Sequence, residues 1–426
     1  MRLSTGVTRS EEIIKSLNKR IQEEMMLSRL TGAILVSALA IGHSARADED
    51  TTAWRLFVAD HTDPTVTAID LDVPEKRWTF EVAGPAKLYA SAGGALVTAV
   101  QSDNERVDFL KSGLARDSHG DHADIEISEP EAIGSIEGPR PFHVVSHGGM
   151  VAVNFDRGGY AGILEEDLLL DGKLDERRFP MNVAHHGFVA AMGDHFVSSI
   201  ASKEPVADDA LPPRVGVGTF AADGMPIGSM HACTDLHGEA FSGNFLLAGC
   251  KEGVIAFDAG GGPDAFTMLP YPADFPEDKT GTLLGSVSMQ VFLGNYGADS
   301  VIIIDPTAEP YFTRVELPFR RVDFILDPAR PQFAYIFTED GSLHRLNMLS
   351  ATIEQSAQIT QPYSMDGHWR DPRPRMAVAD DRLILTDPLD TSLRIVSTAD
   401  FAEIDRIALQ GLPYNVIAVG GSGLTH

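Results

Sequence analysis

The chain is poor in cysteine and in positive charge, and outside its N-terminal region it has no long apolar run. Two cysteines occur in 426 residues, and 34 Lys/Arg stand against 61 Asp/Glu, a formal net charge of −27 at pH 7. No Cys-x-x-Cys-His is present, which argues against a haem enzyme. So acidic a surface disfavours nucleic acid and anionic lipid and suits cations or a basic partner, with simple solubility as the plainer alternative. WD dipeptides are missing, so the chain is not a WD40 repeat by sequence. After Asp48 nothing shows a long helical period, and nothing approaches the length that spans a bilayer.

The N-terminal region has the three-part layout of a secretory signal peptide. Met26-Leu-Ser-Arg29 gives a short positive start, Leu30 to Ile41 is apolar and small, and Ala45-Arg46-Ala47 has a small-x-small cleavage pattern. The apolar run is short for an uncleaved membrane anchor. Residues 1–25 read as a spurious upstream extension, since Met25 and Met26 both offer starts. An exported, mature chain beginning near Asp48 is expected. Residues 1–47 hold seven Lys/Arg and four Asp/Glu, so their loss takes the formal charge from −27 to −30.

Residues 48–426 read as all-β. Short runs of period two recur, among them Arg55–Ala59, Thr65–Ile69, Ala95–Val100, Ser300–Ile304 and Arg382–Thr386, punctuated by Gly, Asp, Asn and Pro. They group into four-strand units starting near Leu88, Phe142, Val183, Cys233, Leu284, Val322 and Met376. An eighth unit begins at Tyr414 and ends with the chain after one strand. Its companions are Arg55–Ala59, Thr65–Ile69 and Arg77–Val82 at the other end. Pairing the termini closes a ring, and a fixed four-strand period means a β-propeller. Eight blades fit the count; seven stay open because the units around Glu165–Pro205 are irregular.

Chemistry concentrates in the histidines. His147-Gly148, His186-Gly187 and His237-Gly238 fall in one column of the repeat, closing the first strand of consecutive units. First strands line the channel of a propeller, so three imidazoles there form a candidate metal site, with His185 a fourth nearby. A second group lies in the long connection between the third and fourth strands of the first unit. There, His119 and His122 alternate with Asp117, Asp121, Asp124 and Glu126. This loop is expected on the face where the three column histidines end, as a metal-capturing flap or else a solvated acidic loop. Imidazole with carboxylate suits zinc first, copper or nickel less. Cys233 and Cys250 read first as a disulfide that holds the backbone carrying His237, with a thiolate metal site as the competitor. Asp235 is a candidate acceptor for the His237 N–H. His61, His143, His195, His231, His344 and His368 share no column and are read as structural.

The chain resembles the periplasmic zinc metallochaperones of the AztD type. The likeness spans the mature chain. It rests on Val58-Ala-Asp-His61, Ser118-His-Gly-Asp-His-Ala-Asp-Ile-Glu126, the His-Gly turns, and Cys233-Thr-Asp-Leu-His-Gly-Glu239 with Gly249-Cys250. The resemblance implies capture of Zn²⁺ and its handover to the zinc-specific binding protein of an ABC transporter, with no reaction catalysed. It draws the ligands from His119, Asp121, His122, His147, His186 and His237. The chain departs from the family pattern in having no histidine between Asp48 and His61. Two other functions compete: a metal-dependent hydrolase or lactonase with its site in the channel and Asp121 or Asp235 as base, and a binding scaffold whose histidines are incidental. A closed ring leaves no free edge that demands a partner, so a monomer is expected.

Overall fold

The computed structural model describes residues 52–118, 123–207, 209–286 and 288–422, and the expected signal peptide lies outside them. Eight four-stranded antiparallel sheets follow one another as the blades of a propeller, which settles the count at eight. The first blade comprises Lys87–Ala90, Leu96–Gln101, Arg106–Lys111 and Glu131–Glu137. In blades two to seven the first strands are Pro141–His147, Val189–Met192, His237–Ser242, Leu283–Gly285, Arg321–Leu326 and Met376–Ala379. Five of the expected unit starts fall inside these first strands, while Val183 and Cys233 sit in the connections just before theirs.

The eighth blade joins the two ends of the chain. Its first strand is Pro413–Ser422, and Thr52–Asp60, Thr65–Asp70 and Arg77–Glu81 follow outward. The ladder from Thr52↔Ser422 to Asp60↔Pro413 closes the ring. That pairing spares the array two uncovered terminal sheets.

Apolar clusters fill the spaces between neighbouring blades. Phe57, Val66, Leu88 and Val97 join blades eight and one, and Leu247, Val254, Phe292 and Ile302 join blades four and five. A strand covered on both faces has no solvent side, so Leu96–Gln101 and Ser300–Ile304 bury every residue. The outermost strand Thr352–Gln358 alternates exposed and half-buried positions, as a strand with one wet face should.

All eight blades run in the same up-and-down order, which defines two faces of the ring. First strands begin at one, here termed the mouth face, which also carries the second-to-third turns. First-to-second turns and third-to-fourth connections lie on the opposite face. The long connection of the first blade therefore belongs to the opposite face. Its described part is a hairpin of Leu114–Ser118 with Ala123–Ile127. Arg55, 2% exposed, pins the hairpin's foot by donating to the carbonyls of Ser112 and Ser128. Such pairing is what lets a guanidinium be buried at all.

Candidate metal centre

Three imidazoles converge at the mouth face, one each from blades two, three and four: His143, His186 and His237. His143 is the third residue of its first strand, His186 stands three residues before Val189–Met192, and His237 opens its strand. The Nε2 atoms of His143 and His186 are 3.3 Å apart, as are those of His186 and His237. All three ligand atoms lie within 4.8 Å of one another.

What makes these rings face inward is visible at their other nitrogens. His143 Nδ1 is 3.2 Å from Glu239 Oε1, His186 Nδ1 is 2.8 Å from Asp156 Oδ2, and His237 Nδ1 is 2.7 Å from the Gly281 carbonyl. Carboxylate and carbonyl oxygens accept, so each Nδ1 carries the proton and donates it. Three Nε2 lone pairs are then turned toward one another, an arrangement that a cation between them relieves. Tetrahedral zinc with Zn–N bonds of about 2.0–2.1 Å separates its nitrogens by about 3.3–3.4 Å, the spacing of two of the three pairs.

Burial pushes the His237 imidazole down to about 4, with His143, His186 and Arg214 acting in the same direction against the Gly281 bond. His237 is thus neutral at pH 7 and needs no proton removed before it can bind a metal. Asp156 is fully buried and also accepts from Asn154 Nδ2 at 2.8 Å, with Arg140 Nε 3.8 Å away. Gly238 shifts the register between His237 and Glu239 and has φ +71°, and a Cβ there would stand 2.7 Å from the Gly281 oxygen. Any side chain would push away the carbonyl that orients His237.

The two cysteines form a disulfide, Cα–Cα 5.0 Å. Cys233 lies in the connection four residues ahead of His237, and Cys250 follows Gly249, the cross-strand partner of His237. The bridge therefore braces the start of the strand that carries His237.

The histidine column must be redrawn. His147 ends the strand that holds His143, on the opposite face, and its ring stacks on Phe241 at 3.7 Å and 4°. Its burial lowers its pKa. His-Gly thus has two meanings here: at His147-Gly148-Gly149 it forms a hairpin turn, with φ +58° and +74° at the glycines. At His186 and His237 it marks the approach to a first strand. His143, read from sequence as structural, takes the third place in the cluster. Aligning the starts of the apolar strands, Val144-Val145 with Phe188-Val189, rather than the dipeptide, would have found it. His185 is buried, bonded to the Val183 carbonyl and to Ser199 Oγ. Asp235 does not serve His237: its φ is +52° and its carboxylate lies 3.7 Å from Lys279 Nζ, while the Gly281 carbonyl takes the imidazole proton. The acidic loop, expected beside the column histidines, has its described arms on the face opposite the cluster. His119, Asp121 and His122 lie outside the described residues.

A strap over residues 359–375, linking blades six and seven, reaches across the mouth face. Arg373 gathers it by donating to the carbonyls of Ser364, Asp366 and His368 at 2.8–2.9 Å. Arg370 pairs with Asp103 of the first blade, and His61 Nε2 is 2.8 Å from the Arg370 carbonyl. Trp369 stands 6.3 Å from Phe142, whose ring meets His186 edge-on at 4.6 Å. The wall across the channel, from blades five to eight with Ala90 of the first, borders a cavity of about 410 Å³ lined mainly by apolar residues, among them Leu284, Ile325, Met376 and Val416. No imidazole is among the residues that line it.

Fold and site together define a class: an eight-bladed β-propeller with a three-histidine candidate metal centre at one mouth of its channel. Comparison with known proteins narrows this. The chain is 41% identical to the zinc chaperone AztD of Citrobacter koseri over 410 residues, 95% of this chain and 96% of that one. It superposes on the crystal structure of Citrobacter koseri AztD with a TM-score of 0.83, covering 88% of this chain and all of that one. The apo structure of that protein gives 0.82 at 39% identity over the same shares. Dihydro-haem d1 dehydrogenase NirN, 15% identical with a TM-score of 0.54 over 85% of this chain and 74% of that one, shares the fold alone. No family model matches the chain. The chain belongs to the AztD family of zinc chaperones.

Proposed function

We propose that this protein binds Zn²⁺ through His143, His186 and His237 in the periplasm and passes it to the zinc-specific binding protein of an ABC transporter, catalysing no reaction. The observation that carries the proposal is the convergence of three Nε2 atoms whose Nδ1 partners are all fixed acceptors. Its relative in Citrobacter koseri is named a zinc chaperone, and the ligand chemistry agrees, since three neutral imidazoles suit zinc. Three protein ligands leave a fourth position for water or for a group supplied by the receiving protein. Release is assigned to the mouth face, past the strap. His119, Asp121 and His122 are assigned first capture, and His147 an aromatic packing role beside Phe241.

Metal content measured by mass spectrometry, for the exported protein and a His186→Ala/His237→Ala variant, tests the reading. About one zinc per chain in the first and none in the second supports it. A folded protein that takes up no zinc when zinc is offered refutes it.

A further inference from the structure

Glu239 belongs to the same strand as His237, yet its carboxylate meets the imidazole of His143, which comes from blade two. The side chains of both are mostly buried, 10% and 13% exposed. Among the described residues, Glu239 is the hydrogen-bond partner of His143 Nδ1. A free neutral imidazole carries its proton mainly on Nε2, the atom that here must present a lone pair. Nothing in His143 itself therefore favours the tautomer that the centre needs; the acceptor does.

We propose that Glu239 is a positioning residue for the metal centre, acting through His143: by accepting from Nδ1 it keeps Nε2 unprotonated and aimed at His186 and His237. The inference rests on the three-histidine reading above. Its consequence is that His237-Gly238-Glu239 governs two of the three ligands, one directly and one through a carboxylate. His237 Nδ1 ties this segment to the Gly281 carbonyl, and Gly238 leaves room for that carbonyl where a Cβ would stand 2.7 Å from its oxygen, so a displacement of the segment disturbs His143 and His237 together. Two ligands that loosen in one movement suit a site that has to release its cargo as well as hold it.

The test combines ¹⁵N NMR of the histidine side chains in the metal-free protein with zinc titration against a chromophoric chelator. It uses the full chain and the variants Glu239→Ala, Glu239→Gln, His143→Ala, His143→Ala/Glu239→Ala and His186→Ala. In the unsubstituted protein His143 should show the Nδ1–H tautomer. Glu239→Ala should shift the proton to Nε2 and weaken zinc binding about 10–100-fold. Glu239→Gln, whose amide oxygen still accepts, should keep the tautomer and most of the affinity. The double variant should bind no more weakly than His143→Ala alone, because a group that acts through His143 has nothing left to act on. A purely structural role would lower the melting temperature and leave the tautomer in place. An unchanged tautomer in Glu239→Ala, or additive losses in the double variant, overturns the proposal. Full zinc affinity in His186→Ala would instead sink the three-histidine reading, and the metal-free NMR signal would still decide the link from Glu239 to His143.

Discussion

His143 and His147 lie four residues apart on one strand, and alanine at the two positions should act differently on zinc binding. His143 Nε2 is 3.3 Å from His186 Nε2, whereas the His147 ring lies flat on Phe241. Structural zinc sites contribute roughly 10–16 kcal/mol over their ligands, so one imidazole of three or four accounts for roughly 3–4 kcal/mol. His143→Ala should therefore weaken zinc binding roughly 10²–10³-fold. The same change removes a mostly buried ring and leaves the Glu239 carboxylate without its imidazole, so the metal-free protein should also lose about 1–3 kcal/mol of stability. His147→Ala should leave zinc affinity unchanged while costing about 0.5–1.5 kcal/mol of stability for the lost ring pair. Chelator competition reads the first quantity and urea unfolding of the metal-free protein the second. Zinc affinity lost on His147→Ala but kept on His143→Ala would refute the assignment of the centre.

Acid should destabilise the metal-free protein through His237. Its folded pKa of about 4 lies below the ordinary 6.5, so between those values the unfolded chain binds the extra proton. Stability is then complete above pH 6.5 and declines toward pH 4 by roughly 3 kcal/mol; His237→Gln should flatten this slope in urea unfolding at pH 7 and 4.5. Replacing Cys233 and Cys250 with serine opens a bridge across 17 residues. It should cost about 3 kcal/mol, and zinc titration should show weaker binding because the pairing of His237 with Gly249 loosens. Asp103→Asn unlatches the strap from Arg370. An ion pair so exposed is worth at most about 1 kcal/mol, so zinc release followed by stopped flow should quicken no more than about fivefold, with the unfolding midpoint unchanged.

The architecture was legible because a propeller repeats its own pattern. Apolar runs such as Val301–Ile304 recur in every blade for the same physical reason, and the lone strand at Tyr414 needed the three at Arg55, Thr65 and Arg77. The site was half legible. His186 and His237 stood out because each precedes a glycine near the start of a blade. His143 did not, since the same dipeptide at His147 forms a hairpin turn on the opposite face. Glu239, Asp156 and Gly281 were beyond reach of a linear reading: each meets its imidazole across 30 to 96 positions of sequence. Nor does a repeat pattern announce the strap, which belongs to one connection only.

The joined eighth blade also sets a timetable. Thr52–Asp60 is made early, and its inner partner, Pro413–Ser422, is almost the last part of the chain to appear. At about 5–20 residues per second, the first waits roughly 20–70 s for the second. Throughout that interval Thr52–Asp60 has Thr65–Asp70 on one side and an open inner edge on the other, and pairings of such long sequence separation form slowly even when both halves are present. The histidine-bearing blades two to four are synthesised well inside this window, so an ion could meet their imidazoles before the ring exists to hold them in place. A nascent chain of this design gains from being kept apart from its cargo until the strand Pro413–Ser422 arrives.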